Sequence, residues 1–131
     1  TPERDAALLV PMNELERNED PYGNWRRYAN EALKGPYAEL FRKLDCLIML
    51  KVPDLESVIE WRTLQEKKLS DATPEGAGVH LMDEAAIRRF VMHWERLTRH
   101  NLEEMPNRAD LTLVLDKSHR VAEVLVKTTS K

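Results

Sequence analysis

Arg62 stands where an apolar residue is expected. Along the stretch from Asp54 to Leu69, the residues Leu55, Val58 and Ile59 recur at the spacing of one helical face. The same face then continues into Arg62, Gln65 and Glu66 before Leu69. A guanidinium at such a position suits a phosphate group, because its planar fork matches phosphate oxygens and each charge-assisted bond contributes about 1.5–3 kcal/mol. The plainer reading is an arginine that lays its stem along the helix and pairs with Glu66 four residues on. A second basic group, Arg88, Arg89, Arg96 and Arg99 with His93 and His100, lies on one later helical stretch. It is either an anion-binding face or a solvated face balanced by Glu84, Glu95, Glu103 and Glu104.

Other chemistries find less support. His93 and His100 are seven residues apart, about 10 Å along a helix axis, too far to share a metal ion. His93-Trp94-Glu95 has the H-x-E form of zinc deaminases, but the one cysteine cannot supply their C-x-x-C partner. That cysteine, Cys46, sits in an apolar run, where a thiol stays protonated and unreactive. No metal site is expected. None of Gly23, Gly35, Gly76 and Gly78 belongs to a G-x-x-x-x-G-K-[ST] phosphate loop.

The elements that must position these groups follow from pattern. Cys46 to Leu50 is a continuous apolar run, which reads as a strand buried on both faces within a parallel sheet and in need of neighbours on both edges. Pro53 stops it and Asp54 caps the following helix, expected to end near Leu69. Residues 1–21 read as irregular apart from a short helical turn through Glu16 and Arg17, capped by Asn13 with Glu16 at capping-box spacing. A helix from Asn24 to Gly35 is expected to turn Trp25, Tyr28, Ala29, Ala32 and Leu33 inward and Arg26, Arg27 and Glu31 outward. Tyr37, Leu40, Phe41 and Leu44 suggest a short amphipathic helix. Ser70 to Gly78 is a loop by composition. Asp83 caps the longest helix, whose apolar stripe is Ile87, Phe90, Val91, Trp94 and Leu97 and whose exit is marked by Pro106. Strands are expected at Leu111–Leu115 and Val121–Val126, antiparallel across a turn at Asp116–His119. Thr128 to Lys131 reads as a frayed end. The pattern is α/β.

The 131 residues carry a net charge of −3, with a third of them charged and both signs interspersed. That balance argues against non-specific nucleic-acid binding. No run is long and apolar enough to span a membrane. The lone cysteine suits a reducing, cytoplasmic setting.

Four segments together resemble the bacterial glycerate-kinase-like P-loop kinases, relatives of uridine kinase and phosphoribulokinase. They are Trp25 to Tyr37 (WRRYANEALKGPY), Asp45 to Lys51 with Trp61-Arg62-Thr63-Leu64-Gln65-Glu66, Trp94 to His100 (WERLTRH), and Met105 to Asp110 (MPNRAD). Trp94 stands where the family pattern often has tyrosine. The resemblance implies the C-terminal portion of a parallel sheet covered by helices, with the Walker A half on residues outside this sequence. It implies one domain over 1–131, with a lid helix and loop at 54–79. It implies ATP-dependent phosphoryl transfer to D-glycerate or a similar hydroxy acid, with Mg²⁺ ligands elsewhere, and a chain that is inactive alone. Arg62 then stabilises the transferring phosphoryl group. Arg96 and Arg99 contact phosphate or the acceptor carboxylate, and His119 and Arg120 lie towards adenine. The expected partners are the glycerate-like substrate, the other half of the kinase, and further copies of the chain through exposed apolar surface. The rival expectation is a non-catalytic α/β module that binds a partner protein.

Overall fold

The computed structural model describes residues 1–73 and 81–127. Two short elements open the chain: a 3-10 turn at Asp5–Leu9 and helix α1 at Glu14–Glu19. Helices α2 (Asn24–Lys34) and α3 (Pro36–Phe41) follow, then strand β1 (Ile48–Lys51), helix α4 (Leu55–Ala72), helix α5 (Glu84–Glu104), a 3-10 turn at Met105–Asn107, and strands β2 (Leu111–Leu115) and β3 (Val121–Val126). The chain is mixed α/β. Its sheet order is β1-β2-β3, with β1 parallel to β2 and β3 antiparallel to β2. The parallel pair is joined through α4 and α5, as a parallel connection requires a long crossover.

Capping residues set the helix starts as expected. Asp54 accepts the Ser57 amide at 2.7 Å and Asp83 accepts the Ala86 amide at 2.8 Å. Asn13 accepts the Glu16 amide at 3.0 Å, but Glu16 reaches back to the Met12 amide rather than to that of Asn13. Gly23 precedes α2 with φ +69, and a Cβ there would lie 2.9 Å from the Arg26 guanidinium. Glycine takes this left-handed φ without strain, and a larger residue would have to displace the Arg26 guanidinium. Helix α4 runs three residues beyond Leu69, to Ala72. Of the expected loop Ser70–Gly78, residues 74–78 lie outside the described residues, as does the tail from Thr128.

Where α4 crosses α5, Ile59, Ile87 and Val91 form the buried core, with Leu55, Val58 and Met82 packed on it. Phe90 and Trp94, expected on the same stripe, are largely exposed.

Three expectations are corrected. First, the helical turn expected after Asn13 is present as α1, but residues 1–21 hold a further 3-10 turn at Asp5–Leu9 and pack on α5: the Asn13 side-chain amide donates to the Met92 carbonyl and to Glu95, at 2.9 and 3.0 Å. Asn13→Ala removes these bonds and the cap together, so it lowers the unfolding free energy by about 1–2 kcal/mol in a urea titration. Second, α2 is rotated from the expected orientation: Ala29, Ala32 and Leu33 are partly buried and Arg27 and Glu31 exposed as expected, but its aromatic residues are not inward. Arg26 and Asn30 are buried while Trp25 and Tyr28 are exposed and stack on each other. The reason is the N-terminal segment lying over that side. Asn30 accepts the Glu3 amide and donates to the Glu3 carbonyl, and Arg26 donates to the Leu8 carbonyl.

Third, β1 is buried on one face only and is an edge strand. Met49 is buried beside Thr112, its partner in β2, whereas Ile48 and Leu50 are more than half exposed. Register continues the open face across the sheet: Ile48, Leu111 and Val126 form one row, and Leu50, Leu113 and Val124 the next. Cys46, just before β1, is exposed rather than buried.

Candidate functional site

Helix α4 carries Arg62 to a position beside α5. Its guanidinium lies over the Phe90 ring at 5.8 Å, donates to Gln65 at 3.1 Å, and pairs with Glu66. Glu66 is itself buried and accepts the Met82 amide at 3.1 Å. The polar turn that interrupts the apolar stripe is therefore an Arg62–Glu66 pair that also holds the start of α5. The residue before Arg62 joins α4 to the β2–β3 turn. The Trp61 indole N–H donates to the Lys117 carbonyl at 3.3 Å, and its ring lies 4.1 Å from the His119 imidazole, centroid to centroid. His119 adopts φ +62, a left-handed conformation uncommon outside glycine. Asp116 shapes this turn by accepting the amides of Ser118 and Arg120. Trp61 thus ties α4 to the turn that carries His119 and Arg120, while the Arg62 guanidinium faces Phe90 of α5 and Glu66.

Arg96 belongs elsewhere. It is six residues from Phe90 along α5, about 9 Å of axial rise, and its guanidinium faces the N-terminal segment. Nε donates to Glu16 at 2.8 Å. One terminal nitrogen donates to Glu3 and the Ala7 carbonyl, and the other to Glu16 and the Val10 carbonyl. Arg26 also reaches Glu16, at 3.4 Å. The expectation of Arg96 as a phosphate contact meets a guanidinium already committed to two carboxylates and two carbonyls. Arg99 is exposed and pairs with Glu95 at 2.9 Å. In the same way Arg88 pairs with Glu84 and Glu56, and Arg89 with Glu19. The basic face of α5 is thus neutralised by neighbouring acids.

Burial acts to raise the Glu16 carboxyl. The Arg96 hydrogen bond, the Met12 amide and the charges of Arg96 and Arg26 together outweigh it, so Glu16 titrates below its ordinary value. A depressed folded value means that the ionised carboxylate's contribution is complete above the unfolded value, about 4.3. It is lost as pH falls through the folded value. Acid titration of stability is expected to steepen below about pH 4.3, and Glu16→Gln to flatten that slope. An unchanged slope in the variant contradicts the assignment.

Sequence reasoning missed Glu3, Arg26 and Asn30 as buried polar groups. The one trace of them was the i,i+4 spacing of Arg26 and Asn30 on a helix whose aromatic residues drew attention to the opposite side. Among the described residues, no group of three metal-ligating side chains converges, and no helix is long and apolar enough to cross a membrane. The chain matches no protein-family model, no curated protein and no solved structure.

Proposed function

We propose that this chain is the lid-bearing C-terminal portion of a P-loop-type small-molecule kinase acting in the cytoplasm, with D-glycerate or a similar hydroxy acid as acceptor. The observation that carries the reading is the open sheet. Among the described residues, a parallel β1–β2 pair, joined by a helical crossover, leaves the β1 edge unpaired and one face apolar and exposed at Ile48, Leu50, Val124 and Val126. Parallel sheets are stable when both faces are covered. A further strand beside β1 and a helix layer over that face are what the other half of such a kinase supplies, and the four sequence segments resembling the glycerate-kinase-like family support the same reading.

In this reading α4 is the lid helix. Arg62 exchanges Glu66 for the oxygens of the transferring phosphoryl group, where a fixed cation favours the developing charge. By analogy of fold, His119 and Arg120 would belong to the adenine end of the site. Arg99 remains a candidate for the acceptor carboxylate, being itself exposed and bonded to one partner, Glu95. Arg96 serves by holding α5 to the N-terminal segment. The bound nucleotide with Mg²⁺ supplies the phosphoryl group, and the metal ligands belong to the other half.

The test is phosphoryl transfer from MgATP to D-glycerate by the chain joined to the sequence that precedes it in its reading frame. Turnover is expected from the joined protein and not from the isolated chain, and Arg62→Ala is expected to lower kcat more than it changes KM. A reading frame without a phosphate loop upstream, or turnover indifferent to Arg62, overturns the proposal. The first result would favour the rival reading of a partner-binding module, with the open sheet as its docking face.

A further inference from the structure

We propose that the pocket between α2, α3 and the end of α5 binds a small uncharged molecule with an apolar body and one hydroxyl, of the aromatic-alcohol class. The site stands independently of the kinase reading. Asn101, on which it turns, lies about 16 Å of axial rise along α5 from Phe90, where Arg62 sits. The pocket has a volume of about 270 Å³ and is walled by Leu33, Phe41, Leu44, Leu97 and Met105. An apolar cavity of about 150 Å³ holds benzene, so this one takes a benzene ring with a short arm.

Two features select its chemistry. The first is Asn101 itself. Leu97, Asn101 and Met105 follow one another at four-residue spacing and all line the pocket, so an amide stands where the helical stripe calls for an apolar group. Other asparagines packed into this fold are matched: Asn13 bonds Met92 and Glu95, and Asn30 bonds both backbone groups of Glu3. Among the described residues nothing bonds the Asn101 side chain. The residue is half-buried, yet neither its amide oxygen nor its nitrogen is sealed off. The amide therefore keeps a donor and an acceptor for whatever fills the pocket, and a hydroxyl answers either one. The second feature is charge. The Arg108 guanidinium and the Thr1 ammonium border the pocket and are set against the carboxylates of Glu104 and Asp110. Arg108 is engaged with Glu104 and the Thr1 hydroxyl, and Asp110 accepts the Leu47 amide at 2.7 Å. The charges cancel, so neither a carboxylate nor an amine gains from entering. Apolar walls with one polar group to fix orientation are the usual lining of a small-molecule site.

The probe is benzyl alcohol, titrated into chain labelled at the methionine methyl groups and followed by NMR. A saturable shift is expected at Met105 and not at Met82, which packs on the α4–α5 core. Toluene, which lacks the hydroxyl, is titrated in parallel. In Asn101→Leu the ratio of benzyl alcohol affinity to toluene affinity is expected to fall about tenfold, the equivalent of one hydrogen bond. Leu44→Trp, at a position 53% exposed on the pocket wall, is expected to abolish both shifts by filling the space, and it serves if Asn101→Leu does not fold. The proposal is overturned if folded protein shows no saturable shift at Met105, which would mean that water alone satisfies Asn101. It is equally overturned if the affinity ratio is the same in Asn101→Leu, if Leu44→Trp binds unchanged, or if benzoate or benzylamine binds more tightly than benzyl alcohol.

Discussion

Arg96→Ala is expected to lower the free energy of unfolding by about 3–5 kcal/mol, the cost of breaking a buried ion pair from one side. The Arg96 side chain is 9% exposed and is the common partner of Glu16 and Glu3. Removing it leaves those carboxylates facing each other in a poorly solvated space. It also strips donors from the Ala7 and Val10 carbonyls, which anchor the N-terminal segment on α5. Small domains have only about 5–15 kcal/mol in total, so this one truncation removes a large share. Arg96→Lys is expected to fall between the two, because a lysine keeps the charge but cannot direct bonds to four acceptors at once. The internal control is Arg99→Ala. Arg99 lies one turn on, and its side chain is exposed although its partner Glu95 is not; truncating an exposed side chain of this kind stays within about 0.5 kcal/mol. Urea unfolding of the three variants decides the matter. Equal effects at Arg96 and Arg99 would mean that the buried network does not hold the N-terminal segment.

Ile87→Ala is expected to cost about 2–5 kcal/mol, from the lost transfer energy and the cavity left behind. Ile87 is 1% exposed and sits between Ile59 of α4 and Val91 one turn along α5. The cluster is small, so few neighbours can collapse into the space, and the upper part of that range is favoured. Phe90→Ala makes the comparison informative. Phe90 is larger but 43% exposed, and its ring lies under the Arg62 guanidinium. If burial governs, the smaller side chain costs more. An Ile87→Ala effect below that of Phe90→Ala would show that the α4–α5 crossing is held chiefly by its surface contacts.

Much of the local structure was legible in the residues. Asn13, Asp54 and Asp83 each announce a helix because a short side-chain acceptor satisfies the first free amides, a matter settled within four residues. The antiparallel β2–β3 pair and its turn at Asp116–His119 are written in two apolar runs separated by turn-formers. Arg62 was marked by its break in the apolar stripe, and one of the two readings open for it, the pair with Glu66, is present.

What sequence could not determine was which face of each element meets what. Helix α2 carries an aromatic face and a polar face, and periodicity favours burying the aromatic one. Tertiary structure turns Arg26 and Asn30 inward in place of Trp25 and Tyr28, because the Glu3 and Leu8 carbonyls and the Glu16 carboxylate bring acceptors to them. A buried polar face is stable once its donors are matched, and that match is made across gaps of up to 27 residues. The apolar run at β1 gave no sign that it lies at an edge with one side uncovered. A run of apolar residues records the burial that a strand needs, and only the arrangement of layers decides which of its faces receives it.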